Sequence, residues 1–94
     1  METFEKTSDI NMTFRIGEMP SHVTFEMLRS IFGEPEYNEY EKTTASWAFK
    51  FSDGSVFTIY DYNSYSDPKY IKGADWHIGG RDEEILVRVL ALVN

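Results

Sequence analysis

The stretch from Trp47 to Tyr62 constrains the fold of this chain more than any other, because it reads as two β-strands joined by a tight turn. Apolar residues alternate on both sides of Ser52-Asp53-Gly54, and an Asp-Gly pair between such runs is typical of a hairpin. A two-residue loop of Asp53 and Gly54 would pair Phe49 with Thr58, whereas a three-residue loop with a left-handed Gly54 would pair Phe49 with Phe57. We expect the three-residue loop, because it collects the large apolar side chains on one face.

This register divides the hairpin into two faces. One face carries Trp47, Phe49, Phe57 and Ile59, and the other carries Ala48, Lys50, Val56, Thr58 and Tyr60. A slip of one residue would mix the two sets, because side chains alternate between the faces along a strand. The first set is therefore the predicted core of the protein.

One strand and one helix precede the hairpin. Residues 12 to 16 alternate between apolar and polar, which predicts a half-buried strand. Thr24 is a favourable N-cap for an amphipathic helix over residues 25 to 32, and Gly33 follows where a left-handed C-cap is expected. Residues 34 to 44 have no clear period, and we interpret them as an exposed loop or an irregular edge.

One short strand and a second helix follow the hairpin. Residues 63 to 74 are typical of a loop, and Asp75 to Ile78 alternate as a strand that Gly79-Gly80 would end. Asp82 can cap a final helix, whose apolar residues between 85 and 93 form a wider surface than one packed face needs. This width predicts either deep burial of the helix or a homodimer formed through it.

These elements predict one α+β domain over residues 1 to 94. The expected order is β-α-β-β-β-α, with two helices packed on one side of a small, largely antiparallel sheet of three to four strands. Residues 1 to 11 have no sustained period, so we expect a flexible arm or an edge strand there.

The charge of the chain excludes several classes of partner. Sixteen acidic residues against nine basic ones give a formal charge of −7, which repels nucleic acids and anionic membranes. Direct nucleic-acid binding is therefore not expected, and no segment predicts a membrane span or a secretory signal. The absence of cysteine fits a reducing compartment, so we expect a cytoplasmic protein. Surplus carboxylates either keep the domain soluble or attract a basic protein surface.

The residues available for chemistry are few, and we expect neither an enzyme nor a metal or cofactor site. His22 and His77 are the only histidines, and no spacing of histidines and carboxylates matches a known metal motif. One small-molecule site is conceivable, for example for a nucleotide signal, near Gly79-Gly80. Its candidate ligand-binding residues are Tyr60, Asp61, Tyr62, His77 and Arg81. The alternative is an ordinary sheet-end histidine and a pair of turn glycines.

A second candidate is the acidic, tyrosine-containing segment between residues 34 and 41. Its candidate partner-binding residues are Glu34, Glu36, Tyr37, Glu39, Tyr40 and Glu41. Tyrosines add contact area at low entropic cost, and carboxylates steer association toward a basic partner. The alternative interpretation is a solvated loop.

Several short motifs resemble those of small acidic proteins encoded by bacteriophages. The resemblance covers roughly residues 24 to 82 and is carried by Phe32-Gly33-Glu34-Pro35, Ala45-Ser46-Trp47, Phe51-Ser52-Asp53-Gly54-Ser55-Val56, Thr58-Ile59-Tyr60-Asp61-Tyr62 and Asp75-Trp76-His77-Ile78-Gly79-Gly80. It implies a phage origin and, with that, the cytoplasm of the host cell, but it implies no reaction. By analogy of size and charge, it suggests a counter-defence protein such as an anti-CRISPR inhibitor. An inhibitor of this kind would bind a host protein, or a protein-nucleic acid complex, where nucleic acid otherwise lies.

Overall fold

An antiparallel β-sheet with two helices on one face forms the protein. The computed structural model describes residues 2–37, 45–62 and 75–93. The strands are β1 (Phe4–Lys6), β2 (Phe14–Glu18), β3 (Glu36–Tyr37), β4 (Ala45–Phe51), β5 (Val56–Tyr62) and β6 (Asp75–Gly80), and the helices are α1 (Phe25–Phe32) and α2 (Glu84–Val93). The main path of the sheet is β1-β4-β5-β6-β2, with β3 also paired to β4, and every described strand pair is antiparallel.

The prediction of an α+β fold is confirmed, but the predicted number of strands is wrong. The sheet has six strands instead of three to four, because β1 and β3 join it at the same edge of β4. These two strands have three and two residues, too few to show an alternating pattern in the sequence. Residues 1 to 11, which were expected to form either an arm or an edge strand, contain β1.

The hairpin has the three-residue loop and the predicted register. Phe49 lies opposite Phe57, and Trp47 opposite Ile59. Gly54 has a φ of +90°, which glycine adopts without strain, and its N–H donates to Phe51 O at 2.9 Å. All four predicted core residues of the hairpin are buried.

Both helices pack on the face that carries these core residues. In α1, Phe25 stacks on Trp76 with the ring centroids 5.6 Å apart, and Phe32 contacts Phe49 at 5.6 Å. The helix begins after Thr24, whose hydroxyl accepts from Met27 N at 3.2 Å. The predicted cap and bounds of α1 are therefore confirmed.

The second helix also begins where the sequence predicts. Asp82 Oδ1 accepts from Glu84 N at 3.0 Å, and this bond satisfies one of the free N–H groups at the helix start. The helix buries Ile85, Val89 and Val93 against the sheet. Most of its wide apolar surface is thus part of the core.

The strand β6 ends at the glycine pair as the sequence predicts, with Gly79 and Gly80 as its last two residues. Both residues lie inside β6 and are buried. A Cβ atom on Gly79 would overlap Thr58 Oγ1 and come within 3.5 Å of the Tyr60 ring. Glycine fits this position because the Thr58 side chain on the neighbouring strand occupies the space that a Cβ atom would need.

Arg88 ties the N-terminus and the hairpin turn to α2. Its guanidinium donates to Glu2 Oε2 at 2.8 Å and to Asp53 Oδ2 at 3.1 Å, and it lies 4.2 Å from the centre of the Phe51 ring. Bonds from Ser55, first from its backbone N–H, and from Arg88 lower the pKa of Asp53 from 3.8 to about 2. The hydrogen bond to Glu2 is the main reason that the pKa of Arg88 is raised.

Candidate functional site

The described part of the acidic, tyrosine-containing segment lies at the β4 edge of the sheet. Glu36 and Tyr37 form β3 opposite Ser46 and Ala45, and Glu34 lies just before them. The side chains of Glu34, Glu36 and Tyr37 are all exposed, and that of Tyr37 is 52% exposed. Glu39, Tyr40 and Glu41 lie outside the described residues. We call Glu34, Glu36 and Tyr37 the acidic edge.

Two of these side chains are held in place by neighbours. Glu34 Oε1 accepts from Arg29 Nε at 3.0 Å, and Tyr37 donates its hydroxyl to Glu34 Oε2 at 3.4 Å. Partial desolvation, followed by the nearby Glu34 charge, raises the pKa of the Tyr37 hydroxyl, which therefore stays protonated as a donor. Glu36 makes no ion pair with another described residue, so its charge is available to a partner.

A cavity of about 330 Å³ lies beside the acidic edge. It lies between the end of β1, where Lys6 is opposite Phe49 and Thr7 N donates to Ala48 O at 3.1 Å, and β3, which pairs with residues 45 and 46 of β4. Lys6, Ser8, Ile10, Glu34, Glu36 and Ser46 are among the residues that line it. The lining combines apolar residues such as Ile10, Trp47 and Phe49 with polar and charged ones, a mixture that suits a single side chain or a small ligand.

The N-terminal part of this lining was not predicted from the sequence. Lys6, Ser8 and Ile10 approach the acidic edge only because β1 pairs with β4. This pairing joins segments that are more than 40 residues apart in the sequence. A three-residue strand is too short to show an alternating pattern from which the pairing could be predicted. An exposed isoleucine in a polar stretch was the one available signal, since Ile10 is 48% exposed.

All four arginines of the chain are used in ion pairs within the molecule. The pairs are Arg15 with Glu18, Arg29 with Glu34, Arg81 with Asp9, and Arg88 with both Glu2 and Asp53. The four guanidinium groups are therefore partly neutralised by carboxylates of the same molecule, although the side chains of Arg15, Arg29 and Arg81 are 53%, 44% and 38% exposed. The surface that remains for other molecules is dominated by carboxylates.

The alternative site brings two of its five predicted residues together. The rings of Tyr60 and His77 meet edge to face on adjacent strands, with their centroids 5.6 Å apart. His77 Nε2 also lies 3.5 Å from Glu18 Oε1, and its side chain is 12% exposed. This arrangement packs the imidazole among polar neighbours on the sheet face that carries no helix.

The other residues of this alternative site point elsewhere. Asp61 lies on the helix-covered face, fully buried, and its Oδ1 accepts from Ala45 N at 2.8 Å. Arg81 binds Asn11 O at 2.8 Å and Asp9 Oδ1 at 3.1 Å, so its guanidinium holds the chain between β1 and β2. The side chain of Tyr62 lies outside the described residues. The backbone of Gly79 pairs with β5. Gly79 and Gly80 are both buried, so their N–H groups do not form an exposed anion-binding site.

The surface of α2 is only partly available for a homodimer. Leu86, Leu90 and Leu92 are partly buried and pack against the core, while Val87 is 72% exposed. The predicted dimer through residues 85 to 93 would therefore depend mainly on Val87 and the exposed margins of the leucines. It stays a prediction.

Residues 2–37, 45–62 and 75–93 contain no group of three or more histidine and carboxylate residues arranged to hold a metal ion. None of the helices in this part of the chain has the length and hydrophobicity needed to cross a bilayer. No protein-family model, curated protein or solved structure matches the chain.

Proposed function

We propose that this chain is a phage-encoded inhibitor that binds a host nucleic-acid-targeting defence complex through its acidic edge, in the manner of an anti-CRISPR protein. The inhibitor acts by stoichiometric binding and carries out no reaction. Its carboxylates occupy a basic surface on which the partner otherwise holds nucleic acid.

The distribution of charge is the observation that carries this proposal. All four arginines are paired with carboxylates of the same molecule, and the formal charge of −7 means that carboxylates outnumber basic side chains on the chain. A basic protein surface that normally binds phosphates is the complementary partner. Lys6 and Lys50 are the remaining basic side chains in the described part of the chain.

The acidic edge also has the features of a specific contact surface. Glu36 supplies an unpaired charge, Tyr37 supplies exposed aromatic area, and the adjacent cavity can receive a side chain of the partner. The ion pair between Arg29 and Glu34 holds the approach to this surface in one conformation, which lowers the entropy lost on binding. Charge, an aromatic anchor and a recess therefore coincide at one edge of the sheet.

Capture from a bacterial lysate, with the parent and Glu36→Lys as parallel baits, tests the proposal. We expect the parent to retain a nucleic-acid-binding protein and the variant to release it. The association rate of that purified partner should fall about tenfold for Glu36→Lys at low salt, and the difference should shrink as salt screens the charges. Nuclease activity of the partner should be inhibited at a one-to-one ratio by the parent.

Glu83→Lys is the matched control, because Glu83 is an exposed carboxylate next to α2, outside the acidic edge and its cavity. It makes the same change in net charge and should leave association nearly unchanged. Equal weakening by both variants would mean that net charge, and not the acidic edge, governs binding. A small molecule that co-purifies with the protein in native mass spectrometry, with no protein captured, would contradict the proposal and favour the ligand-binding alternative.

A further inference from the structure

The outer edge of β2 is open. β2 lies at the end of the strand path, and β6 is the one described strand that pairs with it. Its side chains confirm the exposure, since Phe14 is 54% exposed and the side chains of Arg15 and Glu18 are 53% and 52% exposed. An open sheet edge presents unpaired N–H and C=O groups that can pair with another strand.

A β-bulge sets which groups of β2 point outward. The register with β6 shifts between Arg15 and Gly17, so that Ile16 is an extra residue. Met19 N donates to Trp76 O at 2.8 Å, so the backbone groups of Met19 point toward β6. Alternate residues of a strand direct their backbone groups to the same side, so those of Gly17 point toward β6 as well. Arg15 and Glu18 then direct their backbone groups away from the sheet, at a spacing of three residues instead of two.

The same bulge places the side chains of Arg15 and Glu18 on one face. They form an ion pair with each other, and Glu18 lies beside His77 on the face that carries no helix. A Cβ atom on Gly17 would come within 2.6 Å of Leu86, so Gly17 lies on the opposite, helix-covered face. One edge thus offers a positive and a negative side chain, each next to outward-directed backbone groups.

We propose that β2 of a second copy of this chain pairs antiparallel with this edge, with Arg15 of each copy opposite Glu18 of the other. A two-fold axis between Ile16 and Gly17 makes both contacts at once, as an isologous interface requires. The outward backbone groups of Arg15 then meet those of Glu18 in the second copy, and the two bulges face each other. The charges form two reciprocal cross-strand pairs.

The spacing of the outward groups favours a second copy over an unrelated strand. A regular strand presents outward groups every two residues, so it can match Arg15 or Glu18 of β2 but not both. A strand with the same bulge matches both. The bulge therefore protects the edge from general strand addition while leaving it complementary to itself.

Exposed apolar residues adjoin the same edge. Met12 is 85% exposed with a φ of +65°, and Phe14 follows at the start of β2. The turn before β2 is held by Arg81, which donates to Asn11 O. Leu86 of α2 packs over Gly17, so the helix also borders the edge. In the dimer these apolar groups lose solvent exposure, and the acidic edge stays open because it lies at the opposite side of the sheet.

Sedimentation equilibrium of the parent and of charge-reversed variants tests this dimer. We expect the parent to dimerise, and Arg15→Glu and Glu18→Arg each to raise the dimer dissociation constant about tenfold or more, because both reciprocal pairs become repulsive. The double variant Arg15→Glu/Glu18→Arg restores opposite charges and should recover most of the parent affinity. Thermal melting checks that all variants are folded.

Mixing the two single variants provides an independent test. An Arg15→Glu chain carries two acidic groups at the edge and a Glu18→Arg chain carries two basic ones, so the mixture should form heterodimers more readily than either forms homodimers. A parent that stays monomeric at every concentration would overturn the proposal. So would a dimer that tolerates both single reversals but is lost in Val87→Lys, which would place the interface on α2 alone.

Discussion

Replacing Phe49 by alanine should strongly destabilise the protein, because the Phe49 ring is part of the hydrophobic core. The Phe49 side chain is 4% exposed and its ring contacts Phe4, Phe32 and Phe57, with centroid distances of 4.9, 5.6 and 5.6 Å. Loss of a buried phenylalanine costs about 3–5 kcal/mol, because transfer free energy is lost and a cavity remains. Small domains are stable by only about 5–15 kcal/mol, so the variant should retain a small margin of stability or unfold.

Urea denaturation followed by tryptophan fluorescence measures this loss. For an m-value of about 1.5 kcal/mol per molar urea, the midpoint should fall by about 2–3 M. Lys50→Ala is the matched control, because Lys50 is the next residue on β4 and its side chain points to the opposite face. It should change the free energy of unfolding by less than about 1 kcal/mol.

A double-mutant cycle between Phe49 and Phe57 checks the register itself. The two residues lie opposite each other, so their coupling energy should be about 0.5–1.5 kcal/mol. If Phe49→Ala unfolds at the same urea concentration as the parent, the residue is not in the core and the described packing is incorrect. If the loss is large but the coupling is absent, the core assignment holds and the pairing of the two strands fails.

Three further predictions follow from the packing and charge of other residues. Gly79→Ala should destabilise the protein by about 1–3 kcal/mol through overlap with the Thr58 hydroxyl, and Thr58→Ala in the same chain should recover part of that loss; additive effects of the two changes would refute the contact. The pKa of Asp53 is lowered from 3.8 to about 2, so its contribution to stability is complete above pH 4 and disappears as the pH falls toward 2. Arg88→Gln should make the protein lose less stability across this pH window, because one of the bonds that lower the pKa of Asp53 is removed while the bond from Ser55 remains. An equal fall in melting temperature between pH 5 and pH 2 for the variant and the parent would contradict this. Trp47→Phe should destabilise the protein by about 1–3 kcal/mol, because it removes the indole N–H that donates to the carbonyl oxygen of Gly33, the residue after α1, at 2.8 Å.

The sequence predicts those parts of the fold whose causes are local. The hairpin register follows from Gly54 and the alternation of large side chains on each strand, and the bounds of α1 follow from Thr24 and Gly33. Both are determined by interactions within a few residues of the chain. The two glycines of β6 show the opposite case, because Gly79 is required by Thr58, a residue on another strand, and nothing next to it in the sequence indicates this.

In the candidate site, too, the sequence shows the residues but not their contacts in the folded chain. These contacts change the interpretation of the acidic, tyrosine-containing segment. As a sequence, residues 34 to 41 are a run of carboxylates and tyrosines that a solvated loop would explain equally well. In the folded chain Glu34 is paired with Arg29, whereas Glu36 has no ionic partner among the described residues, and both residues border the cavity. These two glutamates, which are separated by Pro35, therefore differ in whether their charge is already paired within the molecule. Loss of binding in Glu36→Lys without loss of stability would show recognition, whereas equal effects at the two positions would return the segment to the class of solvated loops.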